Sequence, residues 1–183
     1  MISLSATDRA ALLGVARGAI LAPLAGTPPP ALPATGPLAE PAGAFVTVTV
    51  RGELRGCIGT LRAAGPLAAT VARMALAAAT EDPRFPPIGA ADVPELGVSV
   101  SVLGEPFRLS EPRTVQVGVH GLVVKQGWHR GVLLPKVAVR EGWDAESFLK
   151  HVCLKAGLPA RAWQEPDTEI DAFEADEFGE EPT

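Results

Sequence analysis

The chain has 183 residues, 47% of them apolar and 20% charged, with a formal net charge of −5. That is ample material for a core in one domain, and no apolar run reaches membrane-spanning length, so no transmembrane segment is read. Two cysteines, Cys57 and Cys153, are too few for a disulfide framework, and no short-spaced Cys/His cluster suggests structural zinc. The acid is concentrated: nine of the 21 acidic residues fall in 165–181 and no Lys or Arg follows Arg161. Residues 1–164 therefore carry sixteen basic against twelve acidic groups. The excess is spread without a dense basic cluster, so strong nucleic-acid binding is not indicated, while an anionic ligand remains compatible.

Ser5-Ala6-Thr7-Asp8 has the form of a capping box, and Leu12, Leu13, Ala16, Ile20 and Leu24 follow at helical spacing, which predicts a first amphipathic helix. Asp8, Arg9 and Arg17 around its apolar stretch argue against a signal peptide, so a cytoplasmic chain with reduced thiols is expected. Six prolines between Gly26 and Gly43 predict an extended surface connector. Phe45 to Val50 alternates and is β-branched, Arg51-Gly52 reads as a tight turn, and the following residues continue as the second strand of a hairpin. Gly65-Pro66 opens a helix through Ala79, which Glu81-Asp82-Pro83-Arg84-Phe85-Pro86-Pro87 ends.

Val98 to Leu103 reads as a strand, as do Val115 to Val119, Leu122 to Lys125 and Gly131 to Leu134, the last two joined across Gly127-Trp128-His129. Asp144 is expected to cap a helix through Ala156, with Gly157 following it and Phe148, Leu149, Val152, Cys153 and Ala156 on its buried stripe. Thr168 to Phe173 closes as a strand, and Asp176 to Thr183 is expected to fray. Strands and helices mixed this irregularly indicate an α+β fold with antiparallel sheets and flanking helices.

The chemistry gathers at Glu53-Leu54-Arg55-Gly56-Cys57-Ile58-Gly59-Thr60. Strict alternation along a strand would put Glu53, Arg55 and Cys57 on one face and Leu54 and Ile58 on the other, giving the thiol a neighbouring cation. A guanidinium or a ring of backbone N–H groups stabilises a thiolate, which makes Cys57 a candidate nucleophile. Free cysteine is equally at home as a small buried hydrophobe, with the glycines serving close packing. His120 is the natural general base if one exists, at the end of its predicted strand, although a structural histidine fits the same position. Cys57, His120 and Glu53 follow no metal-ligand spacing, so no metal is assigned and the cofactor is left open. Arg84, stiffened by Pro83 and Pro86, fits an anion clamp or a helix cap, and Phe85 fits the core.

Five stretches carry a resemblance: Leu54-Arg55-Gly56-Cys57-Ile58-Gly59, Asp82-Pro83-Arg84-Phe85-Pro86-Pro87, Val117-Gly118-Val119-His120-Gly121-Leu122, Leu134-Pro135 with Glu141-Gly142-Trp143-Asp144, and Lys155-Ala156-Gly157-Leu158-Pro159. In this order, over roughly residues 5–178, the chain resembles the AMMECR domain family, in its standalone form protein A of the AmmeMemoRadiSam system. The resemblance implies a domain over 1–178 in two lobes with a cleft between them. The larger lobe would come from the N- and C-terminal parts and the smaller from roughly 61–119, leaving 179–183 as an acidic tail. It also implies partnership with a Memo-like protein and a radical S-adenosylmethionine enzyme, and no fixed reaction. The expectation is thus a cysteine-dependent enzyme acting on a small or nucleotide-like substrate. Cys57, Arg55 and His120 would be catalytic, and Glu53, Gly56, Gly59 and Arg84 would bind substrate. The alternative is a non-catalytic module that binds a substrate or partner through the Leu54–Gly59 segment.

Overall fold

The structure, a computed structural model, describes residues 2–62 and 65–180. They form two compact units, one of 2–103 with 176–180 and one of Gly104–Ala175. The end of the predicted acidic tail, 181–183, lies outside the described residues.

The first unit opens with helix α1 (Ala6–Ala25), where Ser5 Oγ accepts from the Asp8 amide and the Asp8 carboxylate accepts from the Ser5 amide. Gly26, at φ 64°, ends the helix in the left-handed region. Strands β1 (Gly43–Val50) and β2 (Glu53–Thr60) form the expected hairpin. Arg51 and Gly52 both have positive φ, 55° and 76°, the conformation that matches the twist of a two-residue hairpin turn. Helix α2 (Leu67–Thr80) lies on β1 and β2, and β3 (Leu96–Leu103) pairs antiparallel with β1 along its whole length. These packings hold residues 65–103 in the first unit, whereas the sequence expectation gave roughly 61–119 to a smaller lobe. Val46, Val48, Val98, Val100 and Val102 turn toward the helices, meeting Leu12, Ile20, Leu67 and Val71 in one core.

The second unit is a sheet of four antiparallel strands. β5 (His120–Gln126) pairs with β6 (His129–Leu133) on one side and with β7 (Glu169–Gly179) on the other, and the short β4 (Phe107–Arg108) pairs with β7. Two helices, α3 (Pro135–Arg140) and α4 (Ala145–Lys155), flank it. Asp144 caps α4 by accepting from the Ser147 amide at 2.7 Å, and Gly157 follows at φ 75°. Phe148, Leu149, Val152 and Cys153 are all fully buried in this unit's core.

Two expectations need correction. Val115 to Val119 is no strand, because the chain turns twice there: the Val115 amide bonds back to Pro112, and Gly118 sits at φ 86° between Gln116 and His120. The strand starts at His120 instead. The segment from Asp176 to Glu180 does not fray, since β7 continues to Gly179 and its end is tied down. The Glu180 carboxylate takes Arg17 Nε and Nη2 at 2.6 and 2.7 Å and the Val98 amide at 2.9 Å, and Asp176 pairs with Arg9.

Candidate functional site around Cys57

A bulge sets the direction of every side chain on β2. Val48 opposes Gly56 but Thr49 opposes Leu54, so Arg55 is an extra residue that the partner strand does not match. Alternation is therefore reset: Leu54 shares the face of Thr49 and Glu53 that of Val50, contrary to the unbroken alternation expected for residues 53–57. Gly56 lies against α2 so closely that a Cβ would fall on the Ala78 carbonyl oxygen, and the Phe45 ring lies directly over Gly59. Both glycines let a neighbour pack where a Cβ would stand, the structural role considered for them.

Cys57 follows the bulge on the sheet face turned away from the helices. It stands opposite Thr47, which in turn stands opposite Ser99, so a thiol and two hydroxyls form a row across three strands. All three residues are half-buried. The Thr47 hydroxyl donates to Cys57 Sγ at 3.3 Å.

The second part of the site is the loop that ends α2. Ile88 is buried and its amide donates to the Ala79 carbonyl, which fastens the proline-rich turn under the helix end. Within that turn the Asp82 side chain is only 4% exposed and accepts four hydrogen bonds. Cys57 N–H reaches Oδ2 at 2.9 Å, while the Arg84 amide and Nε reach Oδ1 at 3.2 and 2.9 Å and Arg84 Nη2 reaches Oδ2 at 2.6 Å. The Arg84 hydrogen bond, ahead of the two amides and against the opposing effect of burial, holds the Asp82 carboxyl far below the usual carboxylate range. Arg84 is raised in turn, first by its bond to Asp82, with the charge of Asp82 adding and burial opposing. Arg84 is half-exposed and its guanidinium lies 5.2 Å from the Phe85 ring centroid. Phe85 is only half-buried and supports Arg84, while Ile88 supplies the loop's core contact.

The structure thus joins Cys57 and Arg84 through Asp82. Arg55 turns to the 86–92 segment, with Asp92 Oδ1 and the Pro86 carbonyl both at 3.5 Å, whereas Arg84 binds the same carboxylate oxygen as the Cys57 amide. Glu53 is exposed beside the hairpin turn. His120 belongs to the second unit, where its Nδ1 accepts from the Gln116 amide at 3.1 Å and its ring meets Phe107 edge-on. Sequence reasoning missed Asp82 and Thr47. The signal for Asp82 was an acid placed between a helix end and a Pro-Arg pair. For Thr47 it was a hydroxyl at the hairpin position facing the thiol. Cys153 is sealed in the core of its unit, and burial pushes its thiol up. Among the described residues no group of three or more His, Cys, Asp or Glu side chains is disposed to hold a metal, and no helix is long and apolar enough to cross a membrane.

The chain as a whole is similar to known proteins. The family model AMMECR1 matches residues 13–178. A protein of Methanothermobacter thermautotrophicus is 45% identical over 145 residues, covering 76% of each chain. One from Thermococcus gammatolerans is 41% identical over 177 residues, covering 91% of this chain and 83% of its own. The crystal structure of the uncharacterized protein PH0010 from Pyrococcus horikoshii superposes with a TM-score of 0.87 at 39% identity, covering 93% of this chain and 90% of the other.

Proposed function

The chain belongs to the AMMECR1 family, and from that premise we propose that Cys57 is the nucleophile of a reaction on a small or nucleotide-like substrate that carries an anionic group. The observation that carries this reading is the Thr47–Cys57–Asp82–Arg84 cluster: a half-buried sulfur accepts a hydroxyl hydrogen bond, and the amide of the same residue shares the Asp82 carboxylate with the Arg84 guanidinium. Asp82 acts as the positioning group. Its buried carboxylate holds the Cys57 amide and fixes the plane of Arg84 through Nε and Nη2, leaving Nη1 without a partner among the described residues. That remaining edge suits a carboxylate or phosphate. The sulfur would add to a carbonyl carbon of the bound substrate: the C–S bond forms as the C=O π bond breaks, its electron pair passes to the oxygen, and the thiol proton is relayed by water to that oxygen. Arg55 serves the 86–92 segment, and His120 is given no part.

Iodoacetamide labelling of the native protein tests this. Cys57 is expected to react faster than a model thiol at neutral pH, and Arg84→Gln is expected to slow it about tenfold. A rate no faster than the model thiol between pH 6 and 9 would sink the nucleophile.

A second reading, a non-catalytic binding module, is favoured by one specific observation: among the described residues the thiol of Cys57 is hydrogen-bonded by the Thr47 hydroxyl and not by a histidine base. The family resemblance proposes a Memo-like protein and a radical S-adenosylmethionine enzyme as partners. In a reconstituted three-component assay, Cys57→Ser should abolish turnover if the thiol reacts and preserve it if the surface only binds.

A further inference from the structure

The first unit contains a groove of about 510 Å³ that has no connection with the chemistry at Cys57. Its floor is made where the two helices present short side chains: Ala19 and Ala22 on α1, and Ala69 and Ala72 on α2. The proline-rich connector supplies the third wall. Pro30 is seated over Gly18, where a Cβ would approach it to 3.1 Å, and the Thr27 amide is tied to the Ala22 carbonyl at 2.9 Å. Prolines with fixed φ make this wall stiff, so the groove is formed in advance of any ligand. Leu32 and Leu76, 42% and 38% exposed, extend its apolar surface. Among the described residues Arg73 is the one ionisable residue that lines it, and no carboxylate does.

We infer that this groove binds a free, single-chain amphiphile: an aliphatic chain lying along the alanines, with an anionic head on Arg73. Size and charge select this occupant. The volume falls within the range of small-molecule sites, whereas eleven lining residues are far fewer than the twenty to thirty per side of a stable protein interface. An apolar lining with one cation and no acid is complementary to an apolar chain with one negative charge.

Titration with laurate, followed by amide chemical shifts, tests the assignment. Saturable shifts confined to residues of α1, α2 and the connector are expected, and affinity should rise about threefold to fourfold for each methylene added between octanoate and laurate. Arg73→Gln should weaken laurate about tenfold and leave dodecanol unchanged. Ala72→Trp should fill the groove and reduce binding at least tenfold, with the Cys57 alkylation rate of the same sample as a check on folding. Ala22→Leu serves if the tryptophan variant does not fold. The inference is overturned if laurate produces no saturable shift up to 1 mM, if dodecanol binds as tightly as laurate, if groove-filling variants bind normally, or if shifts appear only with phosphatidylglycerol vesicles.

Discussion

Asp82 is surrounded by four donors, and this makes its charge part of the fold as well as of the site. Because its carboxyl is depressed in the folded chain, its contribution is fully present above the ordinary carboxylate value of about 3.9 and fades as the pH falls below it. Urea denaturation should therefore show stability dropping from pH 5 to pH 2, and Asp82→Asn should remove part of that slope. At pH 7, Asp82→Ala is expected to cost about 2 kcal/mol, below the usual range for a broken buried pair because half-exposed Arg84 regains water. The same substitution releases the Cys57 amide, so alkylation of Cys57 should change together with stability. Gly56→Ala tests packing alone. Its Cβ would meet rigid backbone at Ala78, and a loss of about 3 kcal/mol in a urea titration is expected.

At the level of elements, the end of β7 depends on α1. Arg17 gives Nε and Nη2 to Glu180, and Nη2 also reaches the Leu96 carbonyl, while Glu180 holds the Val98 amide. Arg17→Ala should accelerate hydrogen exchange at Val98 and Glu180 by about ten- to a hundredfold, as expected for losing charge-assisted hydrogen bonds. Exchange unchanged at both amides would show that strand pairing alone holds this end. The same segment marks where the sequence stopped being legible. An acidic run with no local base reads as solvated, because its partners Arg9 and Arg17 stand more than 160 positions earlier. Local signals were read well: the Ser5 and Asp144 caps, the Arg51-Gly52 turn and the hairpin all follow from contacts within a few residues. The bulge at Arg55 has no local signature and redirected Glu53 and Leu54. Helix α3 is a single short segment after Pro135, too brief to show a period. At the site, Cys57 and Arg84 stood out by residue type. The carboxylate joining them did not, because it is 25 residues from the thiol and its role depends on how α2 packs on β2.

Over the whole chain, the two cysteines report separately on the two units. Cys153 is fully enclosed by the second unit's core, and reagent reaches it only when that unit opens. Cys57 is half-buried in the first unit and is reactive in the native state on the reading argued above. Each core comprises its own buried residues, and Leu149 belongs to that of Cys153. Leu149→Ala should cost about 3 kcal/mol, which in the fast-reclosing regime raises the labelling rate of Cys153 about a hundredfold. The rate at Cys57 should stay the same, because native reactivity does not depend on opening. Mass spectrometry of alkylated peptides separates the two sites in one experiment. Equal acceleration at both cysteines would mean that Cys57 also labels through unfolding, which would remove the premise of native reactivity on which the nucleophile proposal depends.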